Sequence, residues 1–231
     1  VGIGGAGGNG QDGLRAARAG GRLSPPGAIT WAGSPLGALA PRGRRAAGLC
    51  VGPEERLGHA AAPTLSLIEN ALLTADTREG LSQKGFINWR KARRYAEDII
   101  TNFDVRTPGP EVAAQALSGG NLQKFVMGRE MLQRPKALVI NQPTWGVDAA
   151  AAASIRQKLM ELSHQGVAIL VISQDLDELF EIADRFAALN EGVRSDARPM
   201  AGLTMDEIGR MLGGAGSAAR PAPRPAPEAA E

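Results

Sequence analysis

The sequence has almost no cysteine and no long hydrophobic run, and each absence limits what the protein can be. The single cysteine, Cys50, excludes an internal disulfide framework and a zinc site built from cysteines, and it fits a reducing compartment. The longest uninterrupted apolar stretch, Val167 to Ile172, is far shorter than the roughly 18 to 20 residues that a membrane-spanning helix needs. We therefore expect a cytoplasmic chain that does not cross a membrane.

The chain also has little excess charge of either sign. Lys and Arg number 26 against 24 for Asp and Glu, and a formal net charge of +2 is too small for a general nucleic-acid-binding field. One local basic run, Arg90 to Arg94, lies beside Trp89 and could suggest RNA or a membrane surface. We interpret it as a solvated helix face and expect no nucleic-acid partner.

Glycine and proline, in contrast, are abundant, with 30 and 15 residues, and many of them lie at the two ends. Residues 213–231 have no branched aliphatic or aromatic side chain to bury, so we predict a disordered tail after a domain spanning 1–212. Residues 1–10 read VGIGGAGGNG. A strand usually has about five or six residues, so we expect the strand that enters this glycine cluster to be N-terminally truncated.

Between the ends, the pattern is that of an α/β fold. Four short apolar runs are typical of buried parallel strands: Ala47 to Val51, Ala137 to Ile140, Val167 to Ser173 and Arg185 to Leu189. Helical periodicity separates them, for example over Ala150 to His164. The stretch at about 65–117 lacks strand signals and carries helical patterns, so we predict a helical subdomain inserted into the α/β part.

The segment from Leu117 to Lys124, LSGGNLQK, is the most informative in the chain because a helical pattern follows it. A Ser-Gly-Gly turn that opens a helix offers unpaired backbone N–H groups, a hydroxyl and the positive end of the helix dipole, which together form an anion site. Taken alone, these residues are better explained as an N-cap with flexible glycines. Two further polar segments follow predicted strands, NQPTWGVD at 141–148 and SQDLDE at 173–178.

This order of segments resembles the nucleotide-binding domain of ABC transporters, and implies a P-loop NTPase core sheet. More narrowly, LSGGNLQKF, NQPTWGVD and ISQDLDEL resemble the second, degenerate ATP-binding domain in bacterial importers of simple sugars and nucleosides. The resemblance covers most of residues 1–213. It implies that Leu117 to Gln123 form the signature loop, that Asn141 ends the Walker B strand, that Asp148 lies in a loop contacting the opposing domain and that Gln174 is the switch position.

Under this resemblance, the glycine-rich start is an altered Walker A phosphate loop, with Gln11 where lysine belongs and Asp12 where serine or threonine belongs. Glycine geometry still lets backbone N–H groups cradle a phosphate, but the cation is gone. A carboxylate is repelled by phosphate unless a metal ion bridges the two. The predicted nucleotide contacts are Gly5, Gly8, Asn9, Gly10, Gln11, Asp12, Asn141, Glu54 and Asp148.

Three further departures concern the catalytic positions. Asn141 replaces the Walker B aspartate, Gln142 the glutamate that would activate water, and Gln174 the switch histidine. The loss of a general base alone costs about 10²- to 10⁴-fold in rate. We predict that the domain's own site is hydrolytically inactive or nearly so and that Mg²⁺ binds there weakly or not at all, with Asp12 and Asn141 as candidate ligands.

The signature loop, by contrast, is intact. The resemblance implies head-to-tail dimers in which each ATP lies between the phosphate loop of one domain and the signature loop of the other. Ser118, Gly119, Gly120 and Gln123 are then expected to complete an ATP site whose lysine, magnesium ligand and glutamate belong to a second ATP-binding domain. Their contribution is positioning of the transition state for ATP hydrolysis.

Membrane-side partners are also implied by the resemblance. The segment VGPEERLG at 51–58 resembles a Pro-Glu-Asp-Arg segment and puts Glu54 at the Gln-loop position. We place the contact with membrane permease subunits at Glu54 to Asn70, where a surface loop and an ordinary helix is an equal alternative. Trp145 fits either internal packing or the dimer interface. The implied location is peripheral, on the cytoplasmic face of the inner (plasma) membrane, with a substrate-binding protein as an indirect partner.

The leading function is thus the ATP-binding component of an ABC importer for simple sugars or nucleosides. Two alternatives stay open on the sequence: a non-transport ABC ATPase that acts on ribosomes or DNA, and a non-catalytic truncated remnant that keeps the fold but no ATPase cycle.

Overall fold

The computed structural model describes residues 1–5, 8–9, 11, 13–14, 24–25, 27, 29–31 and 33–214. Four positions of the predicted phosphate loop, among them the predicted nucleotide contacts Gly10 and Asp12, lie outside the described residues. The predicted disordered tail also lies outside them, apart from Gly213 and Gly214.

Strands and helices alternate in the part of the chain from Ala137 to Asn190, whereas short strands follow one another elsewhere. The strands are β1 (Gly2–Gly4), β2 (Thr30–Trp31), β3 (Ser34–Pro35), β4 (Leu49–Gly52), β5 (Ser82–Gln83), β6 (Phe86–Ile87), β7 (Ala137–Asn141), β8 (Ala168–Ser173), β9 (Arg185–Asn190), β10 (Val193–Arg194) and β11 (Arg198–Pro199). The helices are α1 (Pro41–Ala46), α2 (Leu67–Glu79), α3 (Trp89–Asn102), α4 (Gly119–Met131), α5 (Ala149–His164), α6 (Leu176–Ile182) and α7 (Met205–Leu212).

A central sheet organises the fold. Five strands are parallel and lie in the order β4-β7-β8-β1-β9, and the short strands β10 and β11 pair antiparallel with β9. The apolar runs predicted as buried parallel strands correspond to β4, β7, β8 and β9, which confirms the α/β fold class. Parallel strands need crossover connections, and these are supplied by the helices between them.

The sheet is covered on both faces, as its continuous apolar runs require. All five residues of β7 are buried. Side chains alternate along it, so that Leu138 and Ile140 join the core beneath α2, α3, α4 and α5, while Ala137 and Val139 face the opposite layer. Cys50 of β4 lies in the first of these cores and is 0% exposed.

The stretch at about 65–117 is mainly helical but contains a hairpin that the sequence pattern did not predict. Strands β5 and β6 pair antiparallel across Lys84 and Gly85, whose φ angles are +51° and +85°. Two positive φ angles are the geometry of the tight turns that join two-residue hairpins. Helix α3 buries Ala92, Tyr95, Ala96 and Ile99 on one face. No helix in the described ranges is long and apolar enough to span a bilayer.

The polar segments singled out in the sequence meet at one edge of this sheet. Because β1, β4, β7 and β8 are parallel, the loops that follow them all leave from the same side. Contacts between these loops and the first turn of α4 complete this edge.

Candidate functional site

The residue that ends β7 lies beside the residue that follows β4. Asn141 is 1% exposed, and its Nδ2 donates a hydrogen bond of 2.9 Å to Oε2 of Glu54. These two positions were predicted to line the nucleotide site, and the pairing of β4 with β7 brings them together. The only charge in this pair is carried by Glu54, because asparagine offers a neutral amide.

The loop after β1 has a backbone path that admits only glycine at its start. A Cβ on Gly5 would lie 2.6 Å from the carbonyl oxygen of Leu189 and 2.9 Å from Nε2 of Gln11. Gly8 has a φ of +85°, in the left-handed region that favours glycine. Gln11 is 8% exposed, so its amide is turned toward the base of the loop. The described part of this loop therefore combines a close backbone approach at Gly5 with an amide side chain at Gln11.

Asn9 fastens this loop to the turn between β9 and β10. Its Oδ1 accepts a hydrogen bond of 3.1 Å from the backbone N–H of Glu191, and its carbonyl oxygen accepts one of 2.9 Å from the N–H of Gly192. The side chain predicted to contact nucleotide is therefore used, in this structure, to hold the loop in place.

Gln142 stands at the strained point of the site. Its φ is +52°, an uncommon value for a residue other than glycine, and its side chain is 5% exposed. Its backbone N–H donates to the carbonyl of Ile172 at 2.8 Å, and Ser173 Oγ lies 3.3 Å from its Oε1. The amide can orient a neighbour but cannot accept a proton as a carboxylate would.

A buried carboxylate behind Gln142 was missed by sequence reasoning. Glu178 is 2% exposed; its Oε2 accepts from Ser173 Oγ at 2.8 Å, and its Oε1 accepts from Thr144 Oγ1 at 2.8 Å. Burial raises the pKa of Glu178, against the lowering effect of the two hydroxyl donors. These bonds join the loop after β7 to the loop after β8. Gln174, the predicted switch position, is exposed beside them.

The predicted signature loop begins helix α4. Ser118 is its N-cap, and Ser118 Oγ accepts from the backbone N–H of Asn121 at 3.4 Å and from Nδ2 of the same residue at 3.0 Å. Ser118 and Gly119 are exposed. The first N–H groups of an α-helix have no intrahelical partner, so this exposed turn can accept an anion. A cap and an anion site are thus compatible uses of the same residues.

Gln123, predicted to act on the partner's nucleotide, is directed into its own chain. It is 1% exposed, and its Nε2 donates to the carbonyl oxygens of Gln142 at 3.2 Å and Pro143 at 2.9 Å. Its side chain therefore ties α4 to the loop after β7. The helical periodicity places this residue on the buried face of α4, whereas Ser118 at the N-cap is exposed.

Asp148 and Trp145 lie on the exposed part of the loop after β7. Asp148 is the N-cap of α5, and Oδ1 accepts from the N–H of Ala151 at 2.9 Å. This backbone hydrogen bond lowers the pKa of Asp148. Trp145 is 60% exposed, so it is available to a partner rather than used in packing.

The metal-binding capacity of this edge is small. Among the residues that the structure describes, no group of three or more His, Cys, Asp or Glu side chains could hold a metal ion. Mg²⁺ prefers octahedral oxygen ligands, and Glu54 with Asn141 offers one carboxylate and one neutral amide. If a magnesium ion were held by these two residues, phosphate oxygens and water would have to supply its other ligands.

The fold and these loops define the class of the protein. The dimeric ATP-binding cassette MJ0796, in a post-hydrolysis state bound to ADP and Pi, superposes with a TM-score of 0.71 over 88% of this chain and 86% of that chain. The identity of 18% supports the fold alone. The chain has the P-loop NTPase fold of the ABC ATP-binding cassettes.

Relatives in sequence narrow this class. The chain is 35% identical over 215 residues to the guanosine import ATP-binding protein NupO of Bacillus subtilis, covering 93% of this chain and 42% of that protein. It is 38% identical over 195 residues to the glucose import ATP-binding protein TsgD13 of Haloferax volcanii, covering 83% of this chain and 35% of that protein. No family model matches the chain. Its homologues are thus import ATP-binding proteins, and it spans less than half of their length.

Proposed function

We propose that the protein is the ATP-binding component of an ABC importer for simple sugars or nucleosides, and that it gives its signature loop to an ATP site on a partner domain. The observation that carries this proposal is the exposed first turn of α4, capped by Ser118. The sequence keeps the signature residues, whereas the residues at the Walker A, Walker B and switch positions are altered. The proposed location is the cytoplasmic face of the inner membrane, where the chain is peripheral and a substrate-binding protein acts through the permease.

The chemistry of the chain's own site supports an accessory role. No cation stands at Gln11, and Asn141 and Gln142 offer amides where charge and a general base are needed. A nucleotide held there would meet the backbone N–H groups of the loop after β1 and the single carboxylate of Glu54. We propose that this site holds ATP weakly and does not hydrolyse it.

The contribution to the partner's site would come from a neutral, preorganised surface. Exposed N–H groups at the start of α4 and the hydroxyl of Ser118 can donate to the γ-phosphate of an ATP bound by the second domain. Because the helix is already capped and packed, these donors need little reorganisation when charge develops. ATP and Mg²⁺ bind principally on the partner, which supplies lysine, metal ligand and base.

The permease contact is proposed for Glu54 to Asn70. A groove of about 840 Å³ borders this segment, lined in part by Leu57, Leu117 and Trp145. Leu57 is 39% exposed and Trp145 60% exposed. This open groove, which is lined by charged as well as apolar side chains, joins the segment to the signature loop and suits a helical element of the permease that carries both kinds of side chain. Asn70 holds the end of this segment rigid by donating to the carbonyls of Ala62, Leu65 and Ser66.

The test of this proposal begins with the isolated chain. We expect it to hydrolyse ATP at the background rate, and Gln142→Glu to leave that rate unchanged, because restoring a base does not restore the missing phosphate-clamping charges. Phosphate release is measured for both proteins, with the partner ATP-binding domain as the positive control. Hydrolysis at an ordinary ABC-transporter rate by the unmodified chain would contradict the inactive site.

The assembled importer supplies the second half of the test. Co-expression with the partner domain and the permease should give a complex that co-purifies and hydrolyses ATP, whereas omission of this chain should remove most of the activity. A chain that stays monomeric with ATP and leaves the partner's activity unchanged would instead support the non-catalytic remnant.

A further inference from the structure

Arg56 connects two loops that the proposed function brings to the same partner. Its Nη1 donates to the carbonyl oxygen of Gly119 at 3.2 Å, in the first turn of α4 (the signature turn). The same nitrogen donates to the carbonyl oxygen of Trp145 at 3.0 Å, in the loop that follows β7 and precedes α5 (the loop before α5). Arg56 itself lies two residues after Glu54, in the segment that leaves β4. The guanidinium of Arg56 therefore links the segment after β4 to two other segments of the site.

Two glycines lie against this guanidinium. A Cβ on Gly146 would lie 2.9 Å from Nη1 of Arg56, so a side chain there would have to displace the guanidinium, and the φ of +68° at Gly146 favours glycine. A Cβ on Gly119 would lie 3.5 Å from the Arg56 Cζ, in van der Waals contact. The planar fork of arginine suits such a slot, in which one nitrogen donates to two carbonyls.

The two loops also touch one another directly. A Cβ on Gly120 would lie 3.3 Å from the carbonyl oxygen of Gly146, so the signature turn and the loop before α5 are packed backbone to backbone. Gln123 holds the same two elements together from inside the protein. Arg56 holds them from the surface, and unlike Gln123 it belongs to the segment that borders the proposed permease groove.

We propose that Arg56 is a positioning residue that fixes the signature turn against the loop before α5. This inference rests on the proposed function, because the signature turn must serve a partner's ATP for its position to affect turnover. Arg56 need not touch the nucleotide: it acts through the carbonyls of Gly119 and Trp145.

A comparison with Arg129 distinguishes a positioning role of Arg56 from a role in folding. Arg129 of α4 is 1% exposed and donates to the carbonyls of Asn70 and Ala60 at 3.1 Å and 2.7 Å. Those acceptors lie inside the protein and lose their partner if Arg129 is removed. Arg56 is partly exposed and its hydrogen bonds are at the surface, so water can replace them. Loss of Arg56 should therefore change loop order with little effect on stability.

The first experiment measures loop order in the isolated chain, independently of ATP hydrolysis. In Arg56→Met, which keeps side-chain length without donors, amide hydrogen exchange should rise about 10-fold in peptides covering 117–124 and 143–148 and stay unchanged elsewhere. Arg106→Met is the matched control, because Arg106 is exposed beside the same loop and its side chain makes no hydrogen bond or ion pair within the described residues. The thermal unfolding midpoints of the variants should match that of the parent chain.

The second experiment measures kinetics in the importer assembled with its partner domain and permease. Arg56→Met should lower kcat about 10-fold and change KM for ATP by less than about twofold, because the phosphate loop that binds ATP belongs to the partner. Arg56→Lys should recover most of kcat, since an ammonium can donate to both carbonyls. Arg106→Met should behave like the parent.

Each outcome decides between two ideas. If Arg56→Lys and Arg56→Met have the same kcat, or if exchange at 117–124 does not change, the positioning role of Arg56 is overturned. If a disruptive change at Ser118 leaves the ATP turnover of the importer unchanged, the proposed function is contradicted, and the inference about Arg56, which rests on it, is contradicted too. If Ser118 matters and Arg56→Met does not, only the inference about Arg56 fails.

Discussion

Replacement of Ser118 by arginine is expected to lower the ATPase activity of the assembled importer by about 100-fold or more. Ser118 is exposed at the first turn of α4, where its hydroxyl and the neighbouring N–H groups form the proposed anion site. An arginine side chain fills that space and displaces the γ-phosphate from these donors. Removal of one preorganised donor in comparable sites costs about 10²- to 10³-fold in kcat.

The measurement must separate this effect from the loss of a helix cap. Ser118 caps α4, and removal of a cap costs about 0.5–2 kcal/mol of stability. Ser118→Ala removes the cap without filling the site and should lose less activity than Ser118→Arg at a similar unfolding midpoint. Ser163→Arg, at an exposed position near the end of α5, adds the same side chain and should be neutral. Equal turnover of Ser118→Arg and the parent complex would rule out the composite site.

Replacement of Glu130 by alanine is expected to lower the free energy of unfolding by about 3–5 kcal/mol. Glu130 is 0% exposed, pairs with Arg129 at 3.0 Å and with Arg45, and accepts from Thr74 Oγ1 at 2.8 Å. Alanine leaves the guanidinium of Arg129 in the core without its counter-charge. Chemical denaturation of the isolated chain measures the loss.

A matched carboxylate provides the control for this prediction. Glu161 of α5 is exposed and accepts only from Gln157 Nε2, at 3.1 Å, within the described residues. Glu161→Ala should change the free energy of unfolding by less than about 0.5 kcal/mol, as is usual for surface positions. A Glu130→Ala chain that unfolds within 1 kcal/mol of the parent, on the order of experimental error for such data, would show that the ion pairs contribute no net stability.

The pH dependence of stability follows from the same group. Burial pushes the pKa of Glu130 upward, but the charges of Arg45 and Arg129 outweigh it and hold the pKa below its usual value. A carboxyl whose pKa is lower in the folded state binds fewer protons there than in the unfolded chain. Its stabilisation is therefore present above the unfolded pKa of about 4.3 and is lost as pH falls through the folded value. Glu130→Ala should lack this acid-side component.

The parts of the fold that could be predicted from sequence are those encoded by local pattern. The runs at β4 and β7 are continuous and apolar, and the rule that parallel strands end at the same edge of a sheet then places Asn141 near Glu54. The hairpin β5–β6 escaped prediction because each strand has two residues, too few to show alternation.

The parts that could not be predicted depend on contacts between residues far apart in sequence. Arg56 meets Trp145 across 89 positions, and no local signal in VGPEERLG indicates which carbonyls it will find. Glu178 in the first turn of α6 fits the helix dipole whether it is exposed or buried. Gln123 was assigned to the signature loop by the family resemblance, and only the packing of α4 shows that its side chain points inward.

The buried position of the single cysteine has a practical consequence for following motion in this protein. Cys50 is 0% exposed, and burial raises the pKa of its thiol to about 12, so almost no thiolate exists at neutral pH to attack a maleimide or a spin label. A cysteine introduced at Ser163 or at Trp145 should therefore be the only cysteine that a probe labels, even when Cys50 is kept. Distances between such probes would report directly on how the surfaces of this cassette move during an ATPase cycle.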